Sequence, residues 1–151
     1  MRPSILLRTA LAVLASVPAL CHATLGEPAS SIADDVRTMR SASAIRSERS
    51  LYTVHEMRTD AGVIVREYSG ADGTVFAVTW SGPTKPNLAQ LLGRHFQRYQ
   101  AAGRTPGASH RRSTLRDSDL VVQSSGHLRA FNGLAYLPQS VPPGVDIKEL
   151  Q

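Results

Sequence analysis

Asp72-Gly73 stands between two runs of strand-forming residues, Val63–Tyr68 and Thr74–Trp80, and limits this chain more than any other feature. An Asp-Gly pair accepts the positive backbone angles of a tight hairpin turn, whose twist suits paired strands. A two-residue turn there sets Val65 against Trp80, Arg66 against Thr79, Glu67 against Val78, Tyr68 against Ala77 and Ser69 against Phe76. Side chains alternate along a strand. One face therefore receives Val63, Val65, Phe76, Val78 and Trp80, and the other Ile64, Arg66, Tyr68, Ala77 and Thr79. A slip of one residue would exchange the faces, so the apolar sorting selects this register.

The flanking sequence adds further elements. Leu51–Arg58 reads as a strand before the hairpin. After Ser81–Pro86, Asn87 with Gln90 three places on forms a helix-capping pair. Leu88, Leu91, Leu92, His95, Phe96 and Tyr99 then recur at helical spacing, giving a helix over Asn87–Ala102 that Gly103 ends. Gly103–Ser118 reads as a loop. Asp119–Ser124, His127–Phe131 and Leu134–Leu137 make a second strand group, with Asn132-Gly133 as the turn that sets Arg129 against Tyr136. Near the start, Ile32, Val36 and Met39 share a stripe, so Ser31–Ala42 is expected as a short helix and 41–50 as a linker. The expected class is α+β: an antiparallel sheet in two three-strand groups, a central amphipathic helix packed on it, and a short N-terminal helix. Residues 24–50 and 51–151 are expected to form one domain.

Residues 1–23 read as an export signal. Arg2 and Arg8 flank the start, an apolar run extends from Thr9 to Cys21, and Cys21-His22-Ala23 supplies the small residues of a cleavage site. The run is shorter than the ~20 apolar residues that span a bilayer. Leu20 and Pro18 occupy the places where a lipid-anchored Cys21 would need a small residue and leucine. Cleavage after Ala23 removes the only cysteine, so no disulfide, thiol catalysis or Cys-ligated metal is expected afterwards. It also removes two of the 17 basic residues, leaving 15 against 12 acidic ones, a net +3. The expected location is the periplasm or the exterior.

Little in the chain has the spacing of known catalytic chemistry. His55 and Glu56 are neighbours on a strand and so point to opposite faces. His95 lies in the apolar stripe of the helix and reads as a packing histidine, and His110 as a solvated one. Asp117 and Asp119 suit capping and turn roles. No nucleophile elbow, phosphate-cradling loop or metal-ligand spacing occurs. No cofactor, metal or catalytic residue is therefore expected.

Charge is more informative. From Thr74 to Arg116 there is no acid, while Lys85, Arg94, Arg98, Arg104, Arg111, Arg112 and Arg116 are basic. The six arginines are candidate anion-binding residues, against the simpler reading of a solvated basic loop. A second candidate is a surface patch of Arg66, Tyr68, His127, Arg129 and Tyr136, where arginine and tyrosine meet across strands.

The blocks Tyr52-Thr53-Val54-His55-Glu56, Asp72-Gly73-Thr74-Val75-Phe76 and Gly126-His127-Leu128-Arg129-Ala130-Phe131, in this order after the export signal, resemble the Domain of Unknown Function 2844 family. The resemblance spans nearly the whole mature chain. It implies an exported protein of Burkholderia-like proteobacteria and carries no activity or site residues. The expected function is a non-enzymatic envelope or secreted binding protein, for an anionic polysaccharide, lipopolysaccharide or another envelope protein, with nucleic acid not expected. The alternative is a small periplasmic hydrolase or isomerase with an unfamiliar site.

Overall fold

The computed structural model describes residues 25–31, 41–104 and 112–150. They contain a single antiparallel sheet of seven strands: β1 (Ser41–Glu48), β2 (Thr53–Thr59), β3 (Ile64–Ser69), β4 (Val75–Gly82), β5 (Arg112–Arg116), β6 (Val121–His127) and β7 (Ala130–Tyr136). Their spatial order is β1-β2-β3-β4-β7-β6-β5. The chain meanders from β1 to β4 and leaves through helices α1 (Leu88–Leu92) and α2 (Phe96–Gly103). It returns at the far edge and works inward until β7 pairs with β4. The α+β class holds, but the grouping is four strands and three rather than three and three.

The first hairpin follows the register its side chains select, from Val65 opposite Trp80 to Tyr68 opposite Ala77. A bulge then sets Ser69 against Val75, so Phe76 is the extra residue and is not opposite Ser69. A bulged residue is free to turn to the other face. Phe76 does so, packing with Tyr52 and Tyr68 at ring-centroid distances of 6.2 and 6.4 Å. Val75 takes the vacated place in the main core.

The second group departs further. Asn132-Gly133 is not a turn but lies inside β7, where Asn132 opposes Ser125 and Gly133 opposes Ser124. The reversal is made by Leu128-Arg129, with Arg129 at φ 60° and Leu128 98% exposed. Packing overrides turn preference here. A Cβ on Gly133 would lie 2.1 Å from Cζ2 of Trp80, so the indole occupies space that only glycine leaves open. Residues 112–116, expected as loop, form edge strand β5, and residues 41–48, expected as linker, form the opposite edge strand β1. The expected helix at 31–42 lies mostly outside the described residues, though its last two positions belong to β1.

Asn87 caps α1 as expected, its side-chain oxygen accepting the Gln90 N–H at 3.3 Å. Gly93, at φ 45° and ψ −122°, breaks the helix before a 3₁₀ turn at Gly93–His95, a backbone state open mainly to glycine. Leu91, Leu92 and Tyr99 nevertheless face the sheet and bury against Met57, Val65, Val78, Trp80, Val122 and Ala135. The segment before β1 is sewn into this layer. Leu25 is fully buried, and the Gly26 N–H donates to the Val75 carbonyl at 2.8 Å. On the opposite side of the sheet, the C-terminal segment covers one end, burying Leu150 against Tyr68, Phe76 and Ala77. No other described segment packs over the rest of that side.

Candidate functional site

Residues opposite one another in an antiparallel sheet point to the same face. One such row runs Glu56, Arg66, Thr79, Leu134, Gln123, Thr114 across β2, β3, β4, β7, β6 and β5. The next runs Arg58, Ile64, Ser81, Asn132, Ser125, Arg112 over the same strands. Both rows lie on the side away from the helices. They bound a concave depression of about 430 Å³, lined by residues from Arg66 on β3 to Arg112 and Thr114 on β5. Thr79 and Leu134 form its floor, at 5% and 2% exposure. Arg66 stands at one end, its Nε donating to Glu56 Oε2 at 2.7 Å. Exposed Arg112 stands at the other and makes no ion pair with a described residue. Between them Ser125 and Asn132 hydrogen-bond to each other. Every strand in this trough contributes a neutral hydrogen-bonding group or a cation.

The trough joins one residue from each set of sequence candidates, Arg66 and Arg112, and disperses the others. Arg94 sits beside Glu27 at 3.6 Å and donates to the Gly26 carbonyl at 3.3 Å. Arg98 donates from two nitrogens to Asp119, at 2.9 Å each, and also to Asp117. This fork ties α2 to the turn before β6, so the two aspartates have a larger role than capping. The guanidinium holds the Asp119 carboxyl at about 2, and the carboxylates in turn raise the Arg98 pKa. Arg104 donates to Gln100 Oε1 at 3.0 Å. Arg116 is exposed on β5, and Arg111 lies outside the described residues. Arg94, Arg98 and Arg104 thus each have a hydrogen-bonding partner within the chain.

The expected patch is also divided. Tyr68 is buried rather than superficial, and its hydroxyl donates to the Leu150 carbonyl at 2.8 Å. Burial pushes its phenol pKa up. Tyr136 packs beside it under the C-terminal segment. His127 and Arg129 sit at the β6–β7 tip, about 20 Å along β7 from Tyr136 at 3.3 Å per residue. The Arg129–Tyr136 pairing depended on a turn at Asn132-Gly133 and falls with it. A cation does meet a ring nearby, where Lys85 Nζ lies 5.8 Å from the centroid of Phe131.

The histidines occupy distinct settings. His55 and Glu56 do point to opposite faces, with Glu56 on the trough side and His55 in the row of fully buried Glu67. Burial, then Arg46, lowers the His55 pKa. His95 packs at the break in the helix, with Nε2 buried and no hydrogen bond to a described residue. Burial lowers its pKa, and nearby Arg94 and Arg98 act in the same direction. No three His, Cys, Asp or Glu side chains gather among the described residues in an arrangement that could hold a metal ion.

Thr79, Thr114, Gln123, Ser125 and Asn132 were not among the sequence candidates. The alternation Arg112, Thr114, Arg116 against Ser113, Leu115 is a strand signal that would have exposed part of the trough. The remainder needs the β4–β7 pairing, which no local pattern announces. With this architecture in place, the family comparison is decisive: a family model described as "Protein of unknown function (DUF2844)" matches residues 21–150. The chain belongs to this family. No curated protein and no solved structure matches the chain. In this DUF2844 member no described helix is long and apolar enough to cross a membrane.

Proposed function

We propose that this DUF2844 protein is exported and acts without catalysis, as a binding protein whose ligand lies in the trough on the open face of the sheet. The observation that carries the reading is the contrast in cover. The helices bury one face with apolar side chains, whereas much of the other is left as a concave surface of Arg66, Thr79, Thr114, Gln123, Ser125, Asn132 and Arg112. A depression of about 430 Å³ falls within the range of roughly 300–1,000 Å³ common for ligand sites. Convergent polar groups on a rigid sheet suit recognition, because their positions are set before binding and little ordering is needed.

Export rests on the residues before the fold. Their charged start, apolar run and the small residues Cys21 and Ala23 match a secretory signal. N-terminal sequencing of the protein recovered from the periplasm should begin at Thr24; an intact Met1 in the cytoplasm would remove export from the proposal.

The binding reading is tested by blocking the trough. Thr114 is exposed on the edge strand β5. Thr114→Trp should retain the wild-type unfolding midpoint while losing the components that wild-type protein captures from its own envelope extract. Capture unchanged by this variant would move binding away from the trough. A substrate-consuming activity abolished by the variant would favour the hydrolase or isomerase alternative.

A further inference from the structure

The trough runs across the strands rather than along them, and its charge is confined to its ends. Neighbouring strands lie about 4.8 Å apart. The four steps from β3 to β5 therefore separate the Arg66 and Arg112 backbones by about 19 Å. Between these ends the two rows offer Thr79, Ser81, Gln123, Ser125 and Asn132, short side chains that both donate and accept hydrogen bonds. Three arginines, Arg58, Arg66 and Arg112, share these rows with one acid, Glu56. The large aromatic rings that usually anchor protein partners are withdrawn. Tyr68 and Phe76 are buried under the C-terminal segment, and the Trp80 indole is directed to the helix side against Gly133.

We infer that the ligand is an extended acidic glycan, laid across β3, β4, β7, β6 and β5. Carboxylate or sulfate groups on separate sugars meet Arg66 and Arg112, and the neutral side chains between them take the hydroxyls. Planar guanidinium groups suit such anions because they donate two parallel hydrogen bonds. Hydroxyls match the middle of the trough, where an apolar chain would leave several polar groups without partners. A single small anion would engage one end only. The two-ended arrangement therefore selects for length as well as charge.

This inference rests on the trough being the binding site, and its test separates the two. Mature full-length protein is titrated with free galacturonate, a size-graded series of oligogalacturonates, and neutral maltooligosaccharides of matching length. Affinity should rise by roughly 100-fold from the monomer to chains long enough to reach both arginines, because the second contact becomes intramolecular. Neutral chains should bind far more weakly, and added salt should weaken the long acidic chains. Arg66→Gln and Arg112→Gln should each cost roughly tenfold for the long acidic chain, the scale of one lost charge-assisted pair. Arg104→Gln should cost nothing, since that side chain lies at the end of α2 against Gln100. Equal affinity for monomer and long chain, equal affinity for neutral chains, or indifference to Arg112→Gln would overturn the acidic-glycan inference. If those results coincide with envelope capture that still depends on Thr114, the trough remains the site and the ligand class is wrong. If Thr114→Trp changes nothing either, both readings fall.

Discussion

The two faces of the sheet are built from alternate residues of the same strands, yet one is packed under helices and the other forms a largely polar trough. Met57, Val65, Trp80, Gly133 and Ser124 form a row under the helices. Their immediate neighbours Arg58, Arg66, Ser81, Asn132 and Ser125 lie on the trough side. On the first face shape is restrictive, because the Trp80 ring rests on the bare backbone of Gly133. On the second, apart from Ile64 and the buried floor residue Leu134, the side chains of the two rows are polar and the ends charged, so substitutions at the exposed positions should alter folding little. The C-terminal segment marks the limit of this contrast. It covers one end of the second face and gives it a small core of its own around Tyr68, Phe76 and Leu150.

The sharpest way to break this comparison is Trp80→Ala. Loss of a buried indole at 2% exposure should reduce stability by about 4 kcal/mol, measured by urea unfolding. Gly133→Ala should cost about 3 kcal/mol by overpacking, since its new methyl would also lie 2.7 Å from the Gln123 carbonyl oxygen. Combining Gly133→Ala with Trp80→Leu should cost less than the two single changes summed; strict additivity would show that the ring and the glycine do not share one space.

Tyr68→Phe probes the covered end of the trough face. It removes the hydrogen bond to the Leu150 carbonyl and should cost about 1 kcal/mol, with faster backbone exchange at residues 145–150.

The clamp between α2 and the turn before β6 should appear in the pH dependence. The Asp119 carboxyl, held at about 2 by Arg98, titrates below the ordinary aspartate range near 4, which it regains on unfolding. Its stabilising contribution is therefore complete above about pH 4 and is lost as pH falls through about 2. The melting temperature of Arg98→Gln should fall less steeply than that of wild type across this interval; parallel curves would leave the clamp without a role in stability. Smallest of all, Arg112→Gln should change unfolding by less than about 0.5 kcal/mol. A large loss there would make the trough end a structural element and erase the distinction between the faces.

The parts legible in the sequence were those decided by near neighbours. The first hairpin's register up to Tyr68 and Ala77, the Asn87 cap and the Leu88–Tyr99 stripe each follow from spacing within a few residues, whereas the turn itself spans Gly70–Gly73 rather than Asp72-Gly73 alone. Arg66 and Arg112 lie far apart in the sequence and come to one face only when β5 joins β6 and β7 joins β4. The Asn132-Gly133 pair shows why local preference fails. Its turn propensity is outweighed by a ladder running from Val121 opposite Tyr136 to His127 opposite Ala130, and by the space Trp80 requires. The return is made instead at Arg129, whose left-handed backbone costs about 1–2 kcal/mol.

By itself the sequence determined the α+β class, the first hairpin's register as far as Tyr68 and Ala77, the capped helix and membership of the DUF2844 family. Each is written in short-range periodicity or in contiguous motifs. Only the tertiary structure decided that the two strand groups become one sheet through β4 and β7, and that Arg98 binds the aspartates of the next turn. The trough between Arg66 and Arg112 arises in the same way. These depend on contacts between residues distant in the chain, whose partners are chosen by packing and charge rather than by any local pattern.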